Sequence, residues 1–107
     1  MTTINIPTQN NRYTFEGPYD STDYLQDRSG VYAIIDKRPS SNILVDIGES
    51  ANVKSRILNH DRQSCWKGKR QGILTCAVLY TPNLQQHGRM LIEQEIRSHY
   101  PDLCGDR

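Results

Sequence analysis

GVYAII at residues 30–35 and ILVDIGES at residues 43–50 are the two runs that decide the fold, and a polar break, PSS, separates them at residues 39–41. Apolar, β-branched runs of this length on either side of a turn signal predict an antiparallel hairpin. The other segments of the chain are interpreted outward from this hairpin.

Side chains alternate between the two faces of a strand. On the second run, Val45 and Ile47 are therefore expected on one face and Asp46 on the other. In an antiparallel pair, Tyr32 of the first run and Asp46 of the second are expected to face the same side.

A helix is predicted directly after the second strand. Ser50 is a good N-cap, because its hydroxyl can accept a hydrogen bond from a free N–H group in the first turn. The helix is expected from about residue 51 to residue 60 or 62, so Arg56 and His60, four residues apart, share a face. Its buried side is expected to consist of Val53, Ile57 and Leu58.

The second half of the chain predicts a loop, a strand and a helix. Residues 63–72 form a basic loop, residues 73–80 the third strand, and residues 84–99 the last helix, with an apolar stripe at Leu84, Leu91, Ile92 and Ile96. Pro101 ends this helix, because the residue before a proline resists the helical conformation. The order ββαβα predicts an α+β domain with a small three-stranded antiparallel sheet flanked by helices.

A chain of 107 residues is suited to one core. We divide it into an N-terminal arm packed on the domain (residues 1–29), the domain (residues 30–101) and a loose C-terminal tail (residues 102–107). The arm contains a short apolar stretch at residues 13–15 that is either a strand or an irregular segment lying on the domain.

Composition predicts a cytoplasmic protein without a membrane segment. Hydrophobic residues make up 36% of the chain, mean hydropathy is −0.71, and no apolar run approaches the roughly 20 residues that span a bilayer. The first residues show no secretory signal. Cys65, Cys76 and Cys104 are an odd number at loose spacing, which favours reduced thiols over disulfides and gives no zinc motif.

Net charge is only +1, but its distribution is uneven. Residues 54–70 contain six basic side chains against the single acid Asp61. This pattern is typical of a basic face that binds nucleic acid, or of an ordinary solvated surface. Trp66 could stack on a base, although a lone tryptophan is more often a core or lid residue. The candidate substrate-binding residues are Lys54, Arg62, Trp66, Lys67, Lys69 and Arg70.

The ordered motifs between residues 30 and 101 resemble the GIY-YIG nuclease domain. GVY at residues 30–32 matches the first tripeptide of that family, and DIG at residues 46–48 stands where the second would be. Arg56 follows eight residues after Gly48 and His60 four residues later, at a spacing found in several members. The sequence LIE at residues 91–93 resembles the metal-binding helix of the family.

The resemblance implies a catalytic role for each of these residues, in a pocket open to solvent. It implies that Tyr32 activates the attacking water and that Glu93 holds one divalent ion, Mg²⁺ or Mn²⁺. Arg56 can grip phosphate oxygens with two parallel N–H donors, and His60 can assist Tyr32. Each residue also has an ordinary structural interpretation, such as a half-buried strand tyrosine or a surface helix arginine.

Asp46 departs from the family pattern, in which a tyrosine occupies this position. An ionised aspartate cannot donate a hydrogen bond, and it repels phosphate unless a cation lies between them. Asp46 could pair with Arg56, orient His60 or add a ligand to the metal. Alternatively, it points away, or it marks a domain that binds without cutting.

The sequence thus predicts a divalent-metal-dependent endonuclease that acts on nucleic acid, DNA in preference to RNA. The alternative is a catalytically weak or inactive nucleic-acid-binding or assembly module on the same scaffold. A domain of this size offers little surface for recognising sequence. A second copy of the chain, as a homodimer, or a larger protein is therefore expected as a partner.

Overall fold

The computed structural model describes residues 2–105 and shows an α+β fold. Within this range the chain forms five β-strands, three α-helices and one 3₁₀ turn at Thr22–Tyr24. The strands are β1 (Thr3–Pro7), β2 (Arg12–Tyr19), β3 (Gly30–Lys37), β4 (Asn42–Ser50) and β5 (Ile73–Tyr80), and the helices are α1 (Val53–Leu58), α2 (Gln63–Lys69) and α3 (Gln86–His99).

All five strands belong to one antiparallel sheet in the order β1-β2-β5-β3-β4. The prediction of a three-stranded sheet is therefore wrong. The two additional strands come from the N-terminal residues, where β1 and β2 form a hairpin that extends the sheet beside β5. Burial of Ile6 and Phe15 against the core makes this hairpin part of the sheet.

The predicted β3–β4 hairpin is confirmed, but side-chain alternation along β4 is interrupted. On β3, the consecutive residues Ile34 and Ile35 pair with Asp46 and Leu44 of β4, so the register shifts by one residue between them. Val45 is the extra residue of this bulge, and it packs with Tyr32, whereas Ile47 packs on the opposite face. The prediction that Val45 and Ile47 share a face is wrong, because a bulge changes the period of the strand.

Each face of the sheet buries a separate hydrophobic cluster. Helices α1 and α2 cover one face, with Val53, Ile57 and Trp66 packed against residues that include Tyr32. Helix α3 covers the other face through Ile96. We refer to these as the α1–α2 face and the α3 face.

Helix α1 is shorter than predicted. Ser50 is the last residue of β4 and Asn52 occupies the N-cap position, so the predicted Ser50 cap is wrong. The helix ends at Leu58, which is 54% exposed rather than buried. His60 lies beyond the helix end, and the predicted helical face shared by Arg56 and His60 is therefore not formed.

The predicted basic loop contains helix α2. In its first turn, the backbone N–H of Trp66 donates a hydrogen bond to the carbonyl oxygen of Arg62 at 3.1 Å. Burial of the Trp66 side chain against the sheet accounts for a helix in a segment that also contains Gly68. Packing outweighs the cost of a helical glycine, about 1 kcal/mol.

The predicted last helix is confirmed with a later start, at Gln86. Ile96 is buried as expected, but Leu84 and Leu91 of the predicted apolar stripe are exposed. No helix within residues 2–105 has the length and apolar character needed to cross a membrane.

In the C-terminal segment, residues 101–105, Cys104 is buried and Leu103 is half-buried, whereas the other three residues are exposed. Residues 106–107 of the predicted tail lie outside the described range. Cys104 is buried and forms a disulfide with Cys65 of α2, so the prediction of three reduced thiols is wrong. Cys76 keeps a free, buried thiol on β5, as expected. The cytoplasmic location stays a prediction, without the support of the cysteine pattern.

Candidate active site

Strands β3 and β4 place Tyr32 directly opposite Gly48 in the sheet. The phenol lies across the backbone of Gly48, and a Cβ atom at that position would overlap the phenolic oxygen. At Gly30, a Cβ atom would lie 2.6 Å from the carbonyl oxygen of Leu79 on β5. Close packing thus requires a glycine at position 48, in DIG, and at position 30, in GVY.

Tyr32 contacts His60 through a short polar contact. The phenolic oxygen lies 2.6 Å from Nε2 of the imidazole. On the other side of the ring, the backbone N–H of Arg62 donates to Nδ1 at 3.0 Å. Nδ1 also lies 3.2 Å from Asp61 Oδ1, but acceptance of the Arg62 N–H favours the neutral tautomer with its proton on Nε2. His60 is therefore oriented to donate to the oxygen of Tyr32.

Both members of this pair are strongly affected by burial. Burial raises the pKa of Tyr32 to about 12, while the positive charges of Arg56 and Arg62 oppose the increase and the negative charges of Asp46 and Glu93 add to it. Burial, together with the same two arginines, lowers the pKa of His60 to about 4. Near neutral pH the pair is thus a neutral phenol and a neutral imidazole.

Asp46 is fully buried at the centre of a polar network. Its carboxylate accepts hydrogen bonds from Arg62 Nε at 2.8 Å, from Trp66 Nε1 at 2.7 Å and from Arg97 Nη2 at 2.7 Å. The backbone N–H of Ile47 donates to it as well. Two guanidinium groups bind the carboxylate, so its negative charge is balanced within the fold.

Of the roles considered for Asp46, orientation of His60 is the one that agrees best with its contacts in the structure. Asp46 holds the side chain of Arg62, and the backbone N–H of that same residue determines which nitrogen of His60 carries the proton. Arg56, the partner considered from the sequence, instead donates to Asp61 at 3.3 Å. Asp46 is thus connected to the Tyr32–His60 pair through one intermediate residue.

Glu93 lies on α3 and pairs with Arg97, one helical turn later. Arg97 Nε donates to Glu93 Oε2 at 3.1 Å, and its Nη2 atom reaches both Asp46 and the carbonyl oxygen of Ile47 on β4. Although α3 packs on the opposite face of the sheet, these contacts pass around the outer edge of β4. The charge of Glu93 consequently acts on Tyr32.

The donor set around Glu93 fits a divalent ion only in competition with Arg97. No cluster of three or more acidic, histidine or cysteine side chains suited to a metal ion occurs within residues 2–105. Mg²⁺ retains most of its water and needs only one or two carboxylates, so one glutamate is sufficient in principle. Arg97 already donates to this carboxylate, and a metal ion has to compete with that contact.

The predicted pocket open to solvent is not formed. Tyr32 is 1% exposed, Glu93 3% and His60 5%. Arg56 is the accessible member of the group, with a side chain that is 40% exposed. Tyr32 contacts His60, and Asp46 and Glu93 share Arg97, but Glu93 lies on the helix that packs on the opposite face of the sheet from Tyr32. Arg56 alone among the predicted catalytic residues presents a substantial surface to a substrate.

The predicted substrate-binding residues are divided between surface and interior. Lys67, Lys69 and Arg70 are exposed, and Lys54 is half-buried. Arg62 is occupied by Asp46, and Trp66 is a core residue whose indole faces the same carboxylate. Stacking of Trp66 on a base would require its removal from the core.

Arg97 is the residue that sequence reasoning missed. It is buried and bonds to Glu93, Asp46, Ile47 and Cys104. The available signal was its position four residues after Glu93, which places a cation beside the proposed metal ligand on one helix face. Its bond to Asp46 joins residues 51 apart in sequence, and no local pattern indicates that distance.

No family model, curated protein or solved structure matches this chain. The GIY-YIG resemblance therefore rests on the motif residues themselves.

Proposed function

We propose that this domain hydrolyses phosphodiester bonds in nucleic acid, DNA in preference to RNA, with a requirement for Mg²⁺ or Mn²⁺ centred on Glu93. The observation that carries the proposal is the 2.6 Å contact between the Tyr32 phenolic oxygen and Nε2 of His60, whose Nδ1 accepts from the backbone N–H of Arg62. Because burial raises the pKa of this phenol to about 12, the proposal requires Arg56, Arg62 and a divalent ion together to favour the phenolate.

In this proposal, Tyr32 first releases its proton to solvent, and the phenolate then takes a proton from the attacking water. His60 donates to the phenolate oxygen, and the charges of Arg56 and Arg62 favour the ionised form. Arg56 exchanges its contact with Asp61 for two non-bridging phosphate oxygens. A divalent ion on Glu93 would stabilise negative charge on the scissile phosphate.

Removal of either key group should abolish cleavage. We expect Tyr32→Phe and Glu93→Gln each to reduce Mg²⁺-dependent cleavage by roughly a hundredfold or more, because loss of a general base costs 10²–10⁴-fold. Cleavage should be measured on plasmid, single-stranded DNA, branched DNA and RNA, with and without EDTA. Tyr24→Phe, at an exposed tyrosine outside the site, is the matched control and should cut normally.

A second function is favoured by the burial of the same residues. With Tyr32, His60, Asp46 and Glu93 enclosed, the polar network could serve the fold alone, in a module that binds nucleic acid without cutting it. Salt-dependent binding with no cleavage under any metal condition would support this function. Combined replacement of Lys67, Lys69 and Arg70 by alanine should then weaken binding, whereas Arg12→Ala, at an exposed site on β2, should not.

A further inference from the structure

The Cys65–Cys104 disulfide joins helix α2 to the C-terminal segment across 39 residues of sequence. Cys65 is adjacent to Trp66, whose indole binds Asp46. Cys104 belongs to a segment that also contacts both arginines of the Asp46 network. The covalent bond therefore joins two elements that meet at one buried carboxylate.

The C-terminal segment is held on β4 and on Arg97 by backbone groups. The N–H of Cys104 donates to the Val45 carbonyl at 2.9 Å, and the Cys104 carbonyl accepts from Arg97 Nη1 at 2.7 Å. Arg97 connects Cys104 to the network, because its other two nitrogens bind Asp46 and Glu93. Displacement of this segment would remove one of the partners that orient Arg97.

Gly105 makes the second contact with the network. It has a positive φ of 83°, and a Cβ atom there would lie 3.0 Å from Cζ of Arg62. The backbone of Gly105 therefore lies against the guanidinium of the other arginine that binds Asp46. The segment closes over both cations of the network at once.

We propose that the Cys65–Cys104 disulfide is a redox-controlled latch that holds residues 101–105 over the Asp46–Arg62–Arg97 network. The oxidised chain is the closed form described above. A dithiol reductant opens it by converting the disulfide to two thiols. The segment is then held only by hydrogen bonds and by the packing of Leu103 and Cys104, and it separates from Arg62 and Arg97 far more often.

The exchange reaction follows from the exposure of the two sulfurs. Cys65 is partly exposed and Cys104 is 2% exposed, so the thiolate of the reductant attacks Cys65 Sγ and the Cys104 thiolate leaves and is protonated. The second thiol of the reductant, as its thiolate, then attacks the reductant sulfur that is bonded to Cys65 and releases the Cys65 thiol. The protein gains two electrons and two protons, and the reductant becomes a cyclic disulfide.

Thiol counting and amide exchange test the latch without any cleavage assay, so failure of the nuclease proposal leaves this test unaffected. The chain is equilibrated with oxidised glutathione or with dithiothreitol, then unfolded, alkylated and weighed. We expect one alkylated cysteine after oxidation and three after reduction. Hydrogen exchange at residues 102–105 and at Arg62 should accelerate by about tenfold or more on reduction.

Variants distinguish the latch from a general effect of reductant. Cys104→Ser and Cys65→Ser should show the fast exchange without reductant and no further response to it. Cys76→Ala removes the cysteine outside the disulfide and should respond to dithiothreitol as the original chain does. Three alkylated cysteines after oxidation, or unchanged exchange at residues 102–105 on reduction, would overturn the proposal.

Discussion

The two faces of the sheet are packed with different chemistry. The cluster on the α3 face consists of apolar side chains such as Phe15, Ile47 and Ile96, and the buried charges of α3, Glu93 and Arg97, reach β4 beside it. On the α1–α2 face, Tyr32 and Trp66 pack within the core while their polar atoms meet His60 and Asp46. An apolar face tolerates replacements that preserve volume. A buried polar network instead depends on each partner, because every donor or acceptor left alone is costly.

The largest difference between the faces should appear at Asp46. We expect Asp46→Ala to lower the free energy of unfolding by about 3–5 kcal/mol, because it leaves a buried Arg97 and a half-buried Arg62 without their shared carboxylate. Urea denaturation measures this loss. Asp61→Ala removes an exposed carboxylate and should cost less than about 1 kcal/mol. Equal effects of the two variants would show that the network contributes little to stability.

An intermediate effect is expected from pH, through His60. Its pKa is about 4 in the folded chain, against an ordinary value of 6.5. The unfolded chain therefore binds this proton more tightly than the folded chain does. Stability should be fully present above pH 6.5 and decline as the pH falls towards 4, by at most about 1.4 kcal/mol per pH unit.

His60→Gln isolates this contribution, because the variant has no group at position 60 that titrates in this range. Its unfolding free energy, measured by urea denaturation from pH 7 to pH 4, should decline less steeply than that of the original chain. His87→Gln, at an exposed histidine, is the control and should retain the original slope. Parallel curves for all three proteins would contradict the assignment of a neutral, buried His60.

The smallest effect is expected on the α3 face. Ile47→Val removes one methylene from a fully buried position and should cost about 1 kcal/mol. The measurement is again urea denaturation, at pH 7. A loss as large as that at Asp46 would mean that the two faces do not differ in their tolerance, and the comparison would fail.

Local pattern was sufficient for the strands and helices with strong apolar signals. The β3–β4 hairpin, β5 and α3 follow from their runs of β-branched and periodic apolar residues. Strand β1 carries a weaker signal, with Ile4 and Ile6 alternating with polar residues before Pro7. A strand this short is stable only when it joins a larger sheet, so its existence depends on pairing that the local sequence does not encode.

The sequence suggested candidate site residues but not the contacts that each of them makes. Tyr32, His60, Arg56, Asp46 and Glu93 are linked by electrostatic effects on one phenol or by direct contacts. Their burial, the Asp46–Arg97 bond and the disulfide depend on elements that meet around the edge of β4. Such meetings are set by tertiary packing, and residue type and spacing carry little information about them.

The outer strand β4 has consequences for how two copies of the chain could associate. Two of its carbonyl groups, at Val45 and Ile47, are already occupied by Cys104 and Arg97. A neighbouring strand could not form a regular ladder there without displacing both contacts. The other edge strand of the sheet is β1, so strand addition is easier there. Even at β1, Pro7 has no N–H group to donate, which limits pairing at that end of the strand.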